Sequence, residues 1–195
     1  MNPLADKKPA LKRLNSKVIH NGEYINLRQD ELFKGDDYLS TRDVIEHVGS
    51  IVAVPYEIID KEIYVYMVKQ WRNPIDEWLL EFPAGTLNSN EDPYKAVVRE
   101  LQEEIGMIPQ DIELWSPFFV APGWCTEKIY CFFTTNLKPS KLESDIDEEI
   151  YIEKLELSEI HHMIQDKQIT DLKTITAFYV FKEFLNKNMK HNLGN

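Results

Sequence analysis

The sequence predicts an α/β protein: a mixed sheet held between helices as an α/β/α sandwich, preceded by a small antiparallel β subdomain. Three observations predict it. Two nearly continuous apolar runs, SIVAVPY (50–56) and EIYVYMVKQW (62–71), have the length and composition of strands covered on both faces. Two stretches of helical periodicity, one from Pro93 and one from Leu172, each gather their apolar residues on one side. Residues 1–48 carry strand patterns but too little apolar material for a core of their own. A two-part organisation follows. Residues 1–48 form a β subdomain that packs on the rest of the chain or on another subunit, and residues 49–195 form the α/β domain.

In chain order, residues 1 to about 13 are polar and expected to fray. Asn21-Gly22, between SKVIH and EYINLRQDELF, predicts a hairpin closed by a two-residue turn. The break KGDD (34–37) leads into a third strand, YLSTRDVIEHV, and Ile59-Asp60-Lys61 mark the turn between the two apolar runs. After the loop at Arg72-Asn73-Pro74, WLLEFPAG is a strand that delivers the chain towards a helix. Asp92 is an N-cap acceptor and Pro93 fits the first helical position, while Gly106 supplies the left-handed residue that ends the helix after about three to four turns. Tyr94, Val97, Val98, Leu101 and Ile105 share one face. DIELWSPFFVAPGW and KIYCFFTTNLK read as two further strands, and an acidic loop (143–149) precedes the strand IYIEKLEL. Ser158 is expected to cap a short helix through Lys167. Thr170-Asp171 opens a last helix with Leu172, Ile175, Phe178, Phe181 and Leu185 on one side.

Composition narrows the function classes. A chain of 195 residues with 43% apolar content can bury one good core, and a net charge of −11 argues against a nucleic-acid partner. Cys125 and Cys131 form neither a disulfide framework nor a metal pattern, which points to a reducing compartment. The first residues lack an apolar leader core and no apolar run is long enough to span a bilayer, so a cytoplasmic protein with no membrane partner is expected.

The chemistry concentrates between Gly85 and Met107. At helical spacing Glu100, Glu103 and Glu104 fall on one arc beside the apolar face, with Arg99 four residues before Glu103. Three carboxylates so placed repel one another unless a cation sits among them, and hard oxygen ligands suit Mg²⁺ or Mn²⁺. A lone E-x-x-E-E is ordinarily a solvated helix face. Here Gly85, Glu91, Arg99 and Gly106 accompany it at fixed offsets, as G-x5-E-x7-R-E-U-x-E-E-x-G-U with U apolar. That pattern resembles the signature of the Nudix hydrolase family, with every fixed position matched.

The resemblance implies a Nudix-type α/β/α fold and metal-dependent hydrolysis of the diphosphate linkage of a nucleoside diphosphate-X substrate. It implies Glu100 and Glu104 as principal metal ligands, with Glu103 and the Ala84 carbonyl assisting, and Gly85, Glu91 and Arg99 fixing loop and helix. The run KQWRNP…LLEFPAG is similar to Q-[YF]-R…E-x-P-A-G of the ADP-ribose pyrophosphatase branch, as is Pro122-Gly123 with Glu127 shortly after. Within that branch Arg72 would hold a diphosphate oxygen with its guanidinium fork, and Gly123 and Glu127 would border the substrate. Glu81 would either contact the ligand or satisfy backbone beneath the loop. Asp147-Glu148-Glu149 resembles the acidic stretch that carries the branch's general base, so Glu148 and Glu149, with Glu103, are the catalytic candidates and Glu127 is the rival base. Some branch members stack adenine on an N-terminal tryptophan across a domain-swapped dimer. The tryptophans here are Trp71, Trp78, Trp115 and Trp124, which leaves Arg42 or Tyr38 for that place. The expectation is a homodimeric pyrophosphatase that splits ADP-ribose or another ADP-sugar into AMP and a sugar phosphate. A GDP-mannose or UDP-sugar pyrophosphatase and a non-catalytic nucleotide-sensing module stay open. His161 and His162 are expected to be structural.

Overall fold

A computed structural model describes residues 10–22, 25–143 and 149–192. The chain forms two compact units: one holds the described residues up to Val48 together with Phe119–Glu127, the other Gly49–Phe118 and the described residues from Lys128 onward.

In the first unit β1 (Leu11–Asn21), β2 (Ile25–Lys34) and β3 (Asp37–His47) form an antiparallel meander. The strand begins at Leu11, within the stretch expected to fray. The first hairpin forms, but Asn21 is not a turn residue: it pairs with Asn26 in the ladder, and Gly22 donates its N–H to the Ile25 carbonyl at 2.9 Å. Two register shifts in β1, at Arg13/Asn15 and Val18/His20, move the pairing along and override the local Asn-Gly preference. Buried Asp30 accepts Nε and Nη2 of Arg28 at 2.9 and 3.1 Å and the Ser16 hydroxyl at 2.6 Å. The segment 119–127 joins β3, where Ile45 donates to the Trp124 carbonyl at 2.8 Å and accepts the Thr126 N–H at 2.9 Å. Every position of β1 is exposed, Leu11, Leu14, Val18 and Ile19 among them.

The second unit comprises β4 (Ser50–Ile59), β5 (Glu62–Arg72), β6 (Glu77–Glu81), β7 (Ala84–Thr86), α1 (Pro93–Glu104), β8 (Met107–Ile108) and β9 (Asp111–Leu114). It continues, after β10 (Phe118–Phe119) at the division between units, with β11 (Lys128–Thr135), β12 (Lys138–Pro139), β13 (Ile150–Glu156), α2 (Leu157–Gln165) and α3 (Leu172–Asn192). β11 lies parallel to β4, β4 antiparallel to β5, and β5 antiparallel to β13, so the sheet is mixed as predicted. The β4–β5 turn falls on Asp60 and Lys61, both at positive φ, as a two-residue hairpin requires.

The predicted strand WLLEFPAG is two. β6 pairs with the end of β5, then Phe82-Pro83 breaks the run and β7 pairs with Ser50–Val52 of β4. β4 therefore changes partners along its length: β7 for its first residues, the Pro83 carbonyl for the Ala53 N–H at 2.8 Å, and β5 from Tyr56 on. Pro55, which has no N–H to donate, sits at the hand-over. DIELWSPFFVAPGW is likewise interrupted, with β9 ending at Leu114 ahead of Pro117.

Helices cover both faces. On one, Val97, Leu101 and Ile105 pack with Ile51, Ala53, Val68 and Phe132. On the other, Phe133 meets Phe181 and Phe184 with ring centroids 5.1 and 4.7 Å apart, and Tyr56 meets Phe181 at 4.9 Å. Each such ring contributes about 1.5–3 kcal/mol by burial. The buried stripe of α3 is Thr174, Ala177, Phe178, Phe181 and Phe184, whereas predicted Leu172 is exposed. The stripe is rotated because the helix presents its first turn to β6 and its phenylalanines to β11. α2 is capped by Glu156 through a capping box with Glu159, with Ser158 already inside the helix, which ends at Gln165 rather than Lys167. Among the described residues no helix is long and apolar enough to cross a membrane.

Candidate active site

α1 starts and stops as its sequence dictates. Asp92 Oδ1 accepts the Tyr94 N–H at 2.8 Å, Pro93 opens the helix, and Gly106 leaves it at φ +68°. The carboxylate arc is not beside the buried face but part of it, for Glu100 and Glu104 are only 8% and 5% exposed. Buried carboxylates need compensation. Glu104 Oε2 accepts the Ala84 N–H at 3.1 Å, and Glu100 Oε1 accepts Arg99 Nη1 at 2.8 Å. Gly85 makes the room: a β-carbon there would overlap the Glu100 carboxylate, while its backbone is outside the left-handed region. The glycine is required for its volume, not for its φ.

Arg99 ties the remaining signature residues together. Its Nε and Nη2 grip Glu91 at 3.0 and 2.9 Å, Nη1 reaches Glu103 at 2.9 Å as well as Glu100, and Nη2 reaches the Thr86 carbonyl at 3.2 Å. Glu91 Oε2 also accepts the Asn88 N–H at 2.9 Å, so the loop between β7 and α1 is bound to the helix at both ends. The Arg99 hydrogen bonds hold the Glu91 carboxyl below its ordinary range, and Glu91 in turn raises Arg99.

Among the described residues no three His, Cys, Asp or Glu side chains stand ready to hold a metal ion as they lie. Arg99 holds Glu100 and Glu103, and the Ala84 N–H holds Glu104. Arg99 is thus a stand-in cation within the arc. The donor set fits a hard divalent ion, being carboxylate oxygens backed by the β7 loop, with space kept for Glu100 by the absent Gly85 side chain.

A second charged cluster lies at the end of β5. Glu81, 1% exposed, accepts Arg72 Nε and Nη2 at 2.8 and 2.6 Å and pairs with Lys173, which also sits 3.0 Å from Asp171. Two edges of the Arg72 fork are therefore engaged by Glu81. Glu104 also raises the Arg72 pKa from a distance, after Glu81, so the two clusters feel one another. Burial pushes the Glu81 carboxyl up, but the hydrogen bond from Arg72 and the attraction of Lys173 outweigh it, and the net direction is down from 4.5. A depressed folded-state pKa adds stability above the unfolded value that is lost as pH falls through the folded value. The melting temperature should accordingly fall as pH drops below about 4.5. Glu81→Gln, less stable at neutral pH, should show a shallower fall, and parallel curves for the two proteins would remove Glu81 from the account. Lys173 and Asp171 escaped sequence reasoning because nothing local links them to β6.

The other candidates lie on other elements. Glu149 is exposed and accepts the Tyr151 hydroxyl at 2.6 Å; Glu148 lies outside the described residues. Ile150, the next residue, lines a cavity of about 170 Å³ with Glu103, Glu104 and Lys141. Arg42, Gly123 and Glu127 belong to the first unit. Arg42 is exposed on β3 opposite Asp30, and nearby Tyr38 bonds Thr41 Oγ1 at 2.8 Å. Gly123 lies in the turn that the Trp124 N–H closes on the Ala121 carbonyl at 3.1 Å, and half-buried Glu127 accepts the Val120 N–H on its backbone carbonyl at 3.3 Å. His161 stacks on Phe178 at 5.9 Å. Burial pushes the Cys131 thiol up to about 12, which makes it an inert core residue.

Comparison with known proteins bears on this arrangement. The family model described as the NUDIX domain matches residues 49–178. A methanol dehydrogenase activator of Bacillus methanolicus is 29% identical over 182 residues, covering 92% of this chain and 96% of its own length. An ADP-ribose pyrophosphatase of Bacillus subtilis (strain 168) is 26% identical over 168 residues, covering 85% and 89%. A solved structure described as that of an ADP compounds hydrolase superposes with a TM-score of 0.79 over 94% of this chain and 98% of that one, at 19% identity, which is a likeness of fold.

Proposed function

The chain belongs to the Nudix hydrolase family, and from that premise we propose that it hydrolyses ADP-ribose or another ADP-sugar to AMP and a sugar phosphate, with Mg²⁺ or Mn²⁺ as cofactor. The observation that carries the reading is the fit of Glu100 over Gly85 beside Glu104 on the Ala84 N–H, with Arg99 joining Glu100 to Glu91 of the loop. Buried carboxylates maintained at that cost in desolvation need a function, and polar chemistry on a small anion supplies one. The relative named for ADP-ribose supports the substrate class.

Glu100, Glu104, Glu103 and the Ala84 carbonyl would hold the divalent ions. Once bound, such ions neutralise diphosphate charge and polarise the phosphorus–oxygen bond. Arg72 orients the diphosphate from the β5 end, and an acidic side chain from the 143–149 loop takes the proton of the attacking water as the bridging phosphorus–oxygen bond breaks. Arg99 and Glu91 keep α1 and the loop in register.

A panel of ADP-ribose, other ADP-sugars, GDP-mannose and UDP-sugars, with phosphate release coupled to a phosphatase, tests the substrate. ADP-ribose should give the highest kcat/KM, by about tenfold or more over the GDP and UDP compounds, since recognition of a base edge discriminates at that level. Equal turnover of all would overturn the adenine preference, and a best rate on GDP-mannose would reassign the substrate. The chain is also proposed to be a homodimer. β1, exposed along its whole length with four large apolar residues, supports a partner surface in the first unit. Sedimentation should give twice 22.9 kDa; a fully active monomer at micromolar concentration would sink this reading.

A further inference from the structure

The first turn of α3 reaches into the proposed site from the far end of the chain. Lys173 Nζ pairs with Glu81 Oε2, and the adjacent Thr174, fully buried, accepts the Phe82 N–H on Oγ1 at 3.0 Å. Consecutive residues of the helix thus hold consecutive residues at the end of β6, just ahead of Pro83 and Ala84. Asp171 closes the chain of contacts, its Oδ2 accepting the Thr174 N–H at 2.9 Å and lying 3.0 Å from Lys173. Glu81 Oε2 is shared between Lys173 and Arg72 Nη2, and its partner oxygen takes Arg72 Nε at 2.8 Å. A carboxylate gripped by both cations has one orientation, and the Arg72 guanidinium inherits its plane from it. Remove the ammonium and the buried carboxylate is left with Arg72 alone, free to turn and to draw the guanidinium onto itself.

We propose that Lys173 is a positioning residue for the diphosphate substrate, acting on Arg72 through the buried Glu81. The inference rests on the reading that Arg72 contacts the diphosphate, and the experiment separates the two. Steady-state kinetics would be measured for Lys173→Met, Lys173→Arg, Arg72→Lys and the double variant Arg72→Lys/Lys173→Met. The substrate would be whichever nucleoside diphosphate sugar the wild-type chain cleaves fastest. Lys173→Met should raise KM about tenfold with kcat within about threefold, Lys173→Arg should recover most of the loss, and the double variant should be no worse than Arg72→Lys alone. A structural defect would not split KM from kcat or respond to the arginine rescue. If Lys173→Met does not fold, Lys173→Gln is read in its place. An unchanged KM in Lys173→Met beside a raised KM in Arg72→Lys refutes the role of Lys173 and leaves that of Arg72 standing. Multiplicative losses in the double variant refute the coupling. An Arg72→Lys variant with wild-type KM removes Arg72 from the substrate and the inference with it.

Discussion

Glu104→Gln and Glu100→Gln should each lower kcat by about 10²–10³-fold while the chain stays folded. Glutamine keeps the length and helix propensity of glutamate and can still accept the Ala84 N–H or the Arg99 Nη1 contact, so the packing of α1 survives. What it lacks is the charge that a divalent ion needs, and a loss of that size corresponds to about 2.7–4 kcal/mol at the transition state. Mn²⁺ binding followed by calorimetry should weaken in parallel, which gives a readout independent of turnover. Gly85→Ala should reach the same end by another route, because its methyl group displaces the Glu100 carboxylate. Wild-type turnover in both glutamine variants at saturating Mg²⁺ would sink the assignment of the arc.

The general base produces the second large effect. Of Glu148→Gln, Glu149→Gln and Glu127→Gln, one variant from the 143–149 loop should lose about 10²–10⁴-fold in kcat with KM nearly kept. Glu149 belongs to the unit that holds α1. It ends the loop, and Ile150 beside it borders the cavity that Glu103 and Glu104 line. Its carboxylate accepts the Tyr151 hydroxyl, which raises the phenol, and Tyr151→Phe should lower kcat far less than Glu149→Gln does. A large loss confined to Glu127→Gln would move the base to the turn after Gly123 and out of the loop.

Sequence alone made α1 legible to the residue, because Asp92, Pro93 and Gly106 are local punctuation whose physics needs no distant partner. The apolar strands β4, β5 and β11 were legible for the same reason. It did not reveal that Glu100 and Glu104 are buried, since burial depends on where β7 passes and on a glycine fifteen positions away leaving space. Nor did it reveal Lys173, whose partner Glu81 lies 92 residues upstream. The predicted cap at Ser158 failed because Glu156 and Glu159 satisfy each other's backbone groups, an option that cap preferences rank low. WLLEFPAG was read as one strand because its hydrophobicity is continuous. Only the choice of two different neighbours, β5 and β4, divides it.

The segment 119–127 gives the first unit an unusual birth order. On a ribosome the meander of β1 to β3 emerges first, yet the residues that bond Ile45 emerge only after α1 and much of the second unit. At about 5–20 residues per second that delay is roughly 4–16 s, long compared with hairpin formation in microseconds. During it the margin of β3 lacks the chain that will cover Ile45, and a nascent neighbour on the same message could pair there instead. A gene cut between Val48 and Gly49 makes the delay permanent: one fragment never receives its closing segment, and the other carries that segment with nothing to close.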